Sequence, residues 1–269
     1  MLSGHFGSRT HNKMTIMKEE FITFIHRLAQ ESAQVIKPYF AAFNLEVELK
    51  ADETPVTQAD RRAEEVMRGL IHKEFPNHGI IGEEFGSEND TAEFVWVLDP
   101  IDGTISFTSG CPLFGTLICL LHGGQPMLGA INQPILDLLC IGDNDQTTVN
   151  GRPVLMREMD RLSEASLLTT DILNVSKYQQ KEGFDRLVQE TQLFRTWGDC
   201  YGYLLVASGW ADIMLDPIVN PWDILPIIPI IRGANGVITS WEGTDAVRGT
   251  SCVAANKELH PSVLKILNG

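Results

Sequence analysis

An apolar run without alternation, Phe94 to Leu98, leads into Asp99-Pro100-Ile101-Asp102-Gly103-Thr104. This stretch limits the folds open to the chain more than any other. Consecutive apolar residues predict a short strand buried on both faces, so its sheet must be covered on both sides. Pro100 cannot donate to a ladder, which predicts that the strand ends at Asp99 and the chain turns there. Asp102 then falls in the turn, Gly103 allows a ligand to come close, and Thr104 can open a helix. Two carboxylates beside a helix N-terminus suit a divalent cation that holds a phosphate. Read alone, the same residues also suit a solvated loop with an Asx-turn.

Three further segments bear on that choice: Thr54-Pro55-Val56-Thr57-Gln58-Ala59-Asp60, Gly82-Glu83-Glu84 and Asn220-Pro221-Trp222-Asp223. Asp60 lies in the first turn of a helix predicted from Thr57 or Gln58 to Phe75, where an acid favours the helix dipole whatever its function. Glu83 follows a short apolar strand, Gly79 to Gly82, and shares a sheet edge with Asp99 if the two strands are neighbours. Asp223 reads as an N-cap that can still turn its carboxylate to a metal.

In this order and with these spacings the four segments resemble the inositol monophosphatase family of metal-dependent phosphatases, over nearly the whole chain. The resemblance, with the order of helices and strands, implies an α/β (α+β) fold, a layered αβαβα sandwich of the inositol monophosphatase/fructose-bisphosphatase type. It implies two or three Mg²⁺ ions held by Glu83, Asp99, Asp102, Asp223 and the carbonyl of Ile101, with Mn²⁺ as the other hard cation that oxygen donors favour over zinc. Glu83 and the Thr104 hydroxyl would then position the attacking water, with Asp60 beside the metals as an outer acid. Gly103 and Thr104 would hold phosphate oxygens through backbone N–H groups, and Asp199, Asp216 and Asp223 would contact substrate. A homodimer is implied as well. The chain has no G-x-S-x-G elbow, P-loop or H-E-x-x-H spacing, so water is the simplest nucleophile.

Trp197-Gly198-Asp199-Cys200-Tyr201-Gly202-Tyr203 and Ser106-Phe107 look like the histidinol-phosphate phosphatase branch of the family. Asp199 and Asp216, outside the metal set, suit a cationic substrate, since an ammonium gains charge-assisted hydrogen bonds that a neutral polyol cannot match. The alternative is that Asp199 merely caps a helix that starts near Cys200. An inositol-phosphate or broad sugar-phosphate phosphatase is the alternative enzyme, and an interaction protein that keeps the fold is the alternative outside enzymes.

With 21 basic against 35 acidic residues, a formal charge of −14, the chain is not expected to bind nucleic acid or an anionic membrane. No apolar run reaches the roughly eighteen residues of a membrane span. Five scattered cysteines without a C-x-x-C pair read as reduced core thiols, and a cytoplasmic location follows as the expectation. Residues 1–13 predict a frayed leader, and a helix follows from Lys18 to about Phe43, which Pro38 ends or kinks. Strands are expected at Leu45 to Leu49 and Ser166 to Asp171, a turn at Asp52 to Pro55, and one buried helix over Trp222 to Arg232. A polar stretch between Gly151 and Leu162 divides an N-terminal α+β unit, 1–155, with most metal ligands, from a C-terminal α/β unit, 156–269, with the substrate acids and the last metal ligand. At Ala234-Asn235-Gly236 the family usually has consecutive glycines; Asn tolerates positive φ, which keeps the turn.

Overall fold

A computed structural model describes residues 6–42, 47–49 and 55–269. In chain order the first half runs α1 (Phe6–Ile36), β1 (Val47–Leu49), β2 (Pro55–Thr57), α2 (Gln58–Glu74), β3 (Gly79–Gly82), β4 (Gly86–Glu88), β5 (Phe94–Asp102), α3 (Thr104–Thr108), β6 (Gly115–His122), β7 (Gln125–Gln133), β8 (Leu138–Gly142), β9 (Thr147–Val149) and β10 (Arg152–Val154). The second half runs β11 (Ser166–Leu168), α4 (Ile172–Tyr178), α5 (Lys181–Glu190), β12 (Leu193–Arg195), α6 (Asp199–Ala207), β13 (Ile213–Asp216), α7 (Pro221–Ile224), α8 (Ile227–Gly233), β14 (Gly236–Thr239), β15 (Cys252–Asn256) and α9 (His260–Asn268).

Two sheets carry the architecture. One is ordered β10-β9-β8-β7-β6-β5-β3-β4, the other β12-β11-β13-β15-β14. The alternation of β5 accounts for its unbroken apolar run. Trp96 and Leu98 pack with Phe24, Leu28 and Met67 of α1 and α2, whereas Val95 and Val97 share a core with Leu204, Ile227 and Ile231 of α6 and α8. The smaller sheet meets the same middle helices through Leu168, Met214 and Ala254. Its other face, with Leu167, Ile213 and Val253, is covered by Phe184, Leu187 and Val263 of α5 and α9. Helices, sheet, helices, sheet and helices therefore stack in five layers, the αβαβα sandwich that the sequence implies.

Several expectations need correction. The strand does not stop at Asp99 but continues through Pro100 to Asp102, with a register shift between Asp99, opposite Leu117, and Asp102, opposite Gly115. The extra residue forms a bulge, where a proline's missing N–H costs no ladder bond; the Pro100 carbonyl accepts from Thr116 Oγ1 at 2.8 Å. The span Trp222 to Arg232 is two helices rather than one, broken between Ile224 and Ile227. Pro226 has no N–H with which to continue α7, while Pro229 is tolerated in the first turn of α8, where N–H groups lack intrahelical acceptors. The first helix begins at Phe6, overlapping the expected leader, because extending a packed helix needs no new nucleus; residues 1–5 lie outside the described residues. That helix ends at Ile36, and Lys37–Tyr39, with Pro38, continue as a 3₁₀ turn. Of the strand expected at Leu45 to Leu49 only Val47–Leu49 is described, and residues 52–54 of the expected turn lie outside the described residues. The strand expected to Asp171 ends at Leu168, and Asp171 caps the unforeseen α4 by accepting from Leu173 N at 2.8 Å. Asn235 adopts the positive φ, 66°, that its turn demands. All five cysteines are free. Among the described residues no helix is long and apolar enough to cross a membrane.

Candidate active site

β3 and β5 run parallel, Gly82 beside Leu98, and Glu83 N donates to the Leu98 carbonyl at 3.1 Å. Neighbouring parallel strands thus bring Glu83 and Asp99 to one sheet edge. Past the bulge, Asp99 Oδ1 accepts from Ile101 N at 3.0 Å, and Thr104 Oγ1 donates to the Ile101 carbonyl at 3.0 Å. Gly103 sits at φ 84°, and a Cβ there would meet Asp199 Oδ2 at 2.8 Å, so both backbone and space require glycine. From the second half, Asp223 reaches the same point. It is not the cap of α7: Asn220 holds that position, and Asp223 at the third helical position accepts from Asn220 N at 2.7 Å. Asp99, Asp102 and Asp223 each offer a carboxylate oxygen within 4.8 Å of the others. Glu83, Ile101, Gly103 and Thr104 line the same cleft of about 460 Å³.

Helix α6 meets this cluster end-on. Its cap position is Gly198, and the amide of Cys200 donates to Asp102 Oδ2 at 2.5 Å. Asp199, at φ 49°, makes no cap with its side chain; its carboxylate accepts from Ser106 Oγ at 3.2 Å, and its backbone N–H donates to Thr170 Oγ1 at 2.8 Å. The capping alternative for Asp199 therefore does not hold. Asp216, at the end of β13, accepts from Tyr203 OH at 2.8 Å and Thr170 N at 3.0 Å. Asp199 and Asp216 face an inner recess that adjoins the cleft and that Asp171 also lines. Asp60 stands apart. It is buried in the capping box of α2, accepting from Thr57 N at 2.8 Å and Thr57 Oγ1 at 2.5 Å, and is not among the residues that line the cleft.

Sequence reasoning missed Thr170 and Tyr203, which brace the recess acids, and Asp171. Tyr203 entered only as part of the Trp197 to Tyr203 motif, with no role of its own, and Asp171 carried a local signal as an N-cap residue after an apolar strand.

Burial raises the proton affinity of Asp60, Asp99, Asp102, Asp199, Asp216 and Asp223. Asp99 is pushed well above the ordinary carboxylate range by burial and then by the charges of Glu83, Asp102 and Asp223. Asp102 is raised by burial and by Asp199 and Asp223, against the donation from Cys200. Burial is also the first cause for Asp199 and Asp223, each pushed up to about 7, for Asp216, and for Asp60 at about 6. Carboxylates gathered so closely with so few donors repel one another, and a cation among them removes that cost. The donors are oxygen atoms only. The neighbouring Cys200 thiol, pushed up by burial, accepts from Gln133 Nε2 at 3.4 Å and is not part of the cluster, and the set fits a hard divalent ion.

An acid cluster of this kind in an αβαβα sandwich is the arrangement that the sequence resemblance implies for a metal-dependent phosphatase. The chain belongs to the inositol monophosphatase family, whose family model matches residues 17–269. It is 42% identical over 228 residues to a chloroplastic bifunctional phosphatase of Arabidopsis thaliana, covering 84% of this chain and 65% of that one. It is 37% identical over 234 residues to the histidinol-phosphatase of Chlorobaculum parvum, covering 86% and 90% of the two chains. Among solved structures, an inositol monophosphatase from Zymomonas mobilis superimposes with a TM-score of 0.81 at 36% identity, over 93% of this chain and 98% of the other.

Proposed function

We propose that this chain is a Mg²⁺-dependent histidinol-phosphate phosphatase that acts on the ammonium-bearing monoester. The observation that carries the substrate assignment is Asp199: its carboxylate is not spent on a helix cap but lies beside Ser106 and Gly103, with Asp216 behind it in the recess. Two acids beyond the phosphate-binding residues offer a cation two charge-assisted bonds. Histidinol-phosphatase relatives support the same reading.

Glu83, Asp99, Asp102, Asp223 and the Ile101 carbonyl would hold the metal, with Mn²⁺ as a substitute. When bound it would supply Lewis-acid activation of water and neutralise phosphoryl charge. Thr104 Oγ1, its proton committed to the Ile101 carbonyl, offers lone pairs that accept a hydrogen bond from the incoming water, and Glu83 orients the same water from the β3 side. The amides of Gly103 and Thr104 bind phosphoryl oxygens. Asp60, buried in the capping box of α2 and within electrostatic reach of Glu83, is the outer acid of this proposal. The proposal also treats residues 1–155 and 156–269 as two units that close over the cleft, and takes a second copy of the chain as partner.

Asp199→Asn is expected to lower kcat/KM for histidinol phosphate about ten- to hundredfold relative to a neutral phosphate ester, because a charge-assisted bond of roughly 1.5–3 kcal/mol is lost. Asn tolerates the positive φ at this position, so the backbone is preserved. Comparing both substrates in wild type and variant isolates the effect, since damage to the metal site would depress the two alike. An unchanged substrate ratio would remove the case for histidinol phosphate over an inositol or sugar phosphate.

A further inference from the structure

Glu64 and Arg68 form an ion pair inside the protein that the reaction as described does not use. Glu64 is fully buried on α2, one turn after Asp60, and Arg68 Nε donates to its Oε1 at 2.8 Å. The partners of this pair lie immediately around Glu83. Glu64 Oε2 accepts from Glu84 N at 2.8 Å, and Oε1 accepts from Phe85 N at 3.2 Å. Arg68 Nη2 donates to the carbonyl of Gly86. On the other side of Glu83, a Cβ on Gly82 would fall on the Glu64 carboxylate. The strand residue before Glu83 and the three residues after it are thus fitted to one ion pair on a helix.

Charges taken out of water are costly, and a well-packed apolar pair often holds a helix to a sheet as well or better. What an apolar pair could not do is accept two amides and donate to a carbonyl in a turn whose residues Phe85 and Gly86 are exposed. Glu83 N is already held by the Leu98 carbonyl, and the ion pair adds a hold on the residues before and after it. We propose that Glu64, braced by Arg68, is a positioning residue that aims the Glu83 carboxylate at Asp99, Asp102 and Asp223. This inference rests on Glu83 acting in the metal site. Because Asp60 is on the same helix, α2 fixes both outlying acids as one rigid element.

Three measurements on Glu64→Gln, Arg68→Lys and Glu83→Gln test it. Gln in place of Glu64 keeps the volume but turns one acceptor into a donor against Phe85 N, Glu84 N or Arg68. Arg68→Lys keeps both charges and loses the forked donation. In metal-free protein, amide exchange at Glu84 and Phe85 should quicken about tenfold or more in Glu64→Gln, and less in Arg68→Lys. Calorimetric titration with Mg²⁺ should show affinity lowered about 10- to 100-fold, and kcat should fall while substrate KM stays within about threefold. If Glu64→Gln does not fold, Arg68→Lys decides the question. Folded variants with Mg²⁺ affinity and kcat within about twofold of wild type would overturn the proposal, as would a loss of melting temperature with no change in Mg²⁺ affinity of the folded protein. Should Glu83→Gln itself leave Mg²⁺ affinity and turnover unchanged, the role of Glu83 falls instead, and the exchange rates still report whether the clamp holds the turn.

Discussion

Asp102→Asn should lower turnover by about three orders of magnitude or more and yet leave a folded protein that, in chelator at pH 7, melts no lower than wild type. The two halves of this expectation have one cause. Asp102 is crowded by Asp199 and Asp223 and removed from water, so its negative charge is a burden in the metal-free state. Asn removes that charge while its Oδ1 can still accept from Cys200 N, the bond that ties α6 to the end of β5. The same charge is what a divalent ion needs. Metal-assisted catalysis is worth several kcal/mol, and each 1.36 kcal/mol is a factor of ten in rate. Phosphate release measured beside a thermal melt in chelator checks both. An active variant would remove Asp102 from the metal set; an unfolded one would show that the carboxylate is structural.

The second large effect is the dependence of stability on pH and metal. Asp99, Asp102, Asp199, Asp216 and Asp223 all bind protons more tightly in the folded state than an ordinary carboxylate does, Asp199 and Asp223 with pKa values near 7. A raised folded pKa gives a contribution that is fully present below the unfolded value, near 4, and is lost as pH rises through the folded value. In chelator, then, these acids destabilise the protein progressively from about pH 4 to 8. Burial of His78 and His260 works the other way, because neutral rings held in the fold cost stability as pH falls below about 6.5. The carboxylate contribution is therefore read from the difference between melts with Mg²⁺ and with chelator. Mg²⁺ at about 100 times its Kd adds roughly 2.7 kcal/mol, or about 5–10 °C in a chain of this size. That gain should be larger at pH 8 than at pH 5, because protons no longer compete for the oxygens. A gain that shrinks toward pH 8, or none at all, would mean that the acids do not form a cation site.

The parts of the fold and site that were legible in the sequence are those fixed by local pattern. The apolar run of β5 announced burial on two faces, and Trp96 and Val97 do point into different cores. A helix starting at Thr57 or Gln58 with Asp60 in its first turn was legible, and α2 does start at Gln58, Thr57 capping it and Asp60 completing a capping box. The misreadings arose where a distant partner decides. Pro100 stays within its strand because β6 supplies a bulge register and a Thr116 hydroxyl, neither visible in the D-P-I-D segment. Asp199 carried a capping alternative that its left-handed φ and the Ser106 hydroxyl, 93 residues away, remove by turning its carboxylate toward the cleft. Asp223 was expected to cap α7, but Asn220 takes that place and Asp223 answers it from the third position. Glu64 gave one sign that went unread: with Asp60 and Arg68 it is a charged residue on the buried face of α2, and its amide partners are in the turn around Glu83.

The most direct test of the proposed activity is a phosphate-release panel with the purified protein and Mg²⁺, comparing kcat/KM for histidinol phosphate, inositol 1-phosphate and a sugar bisphosphate. With Asp199 and Asp216 in the recess, histidinol phosphate should lead by about tenfold or more, and excess chelator should abolish release from all three. Equal or faster hydrolysis of inositol 1-phosphate, or full activity in chelator, would contradict it.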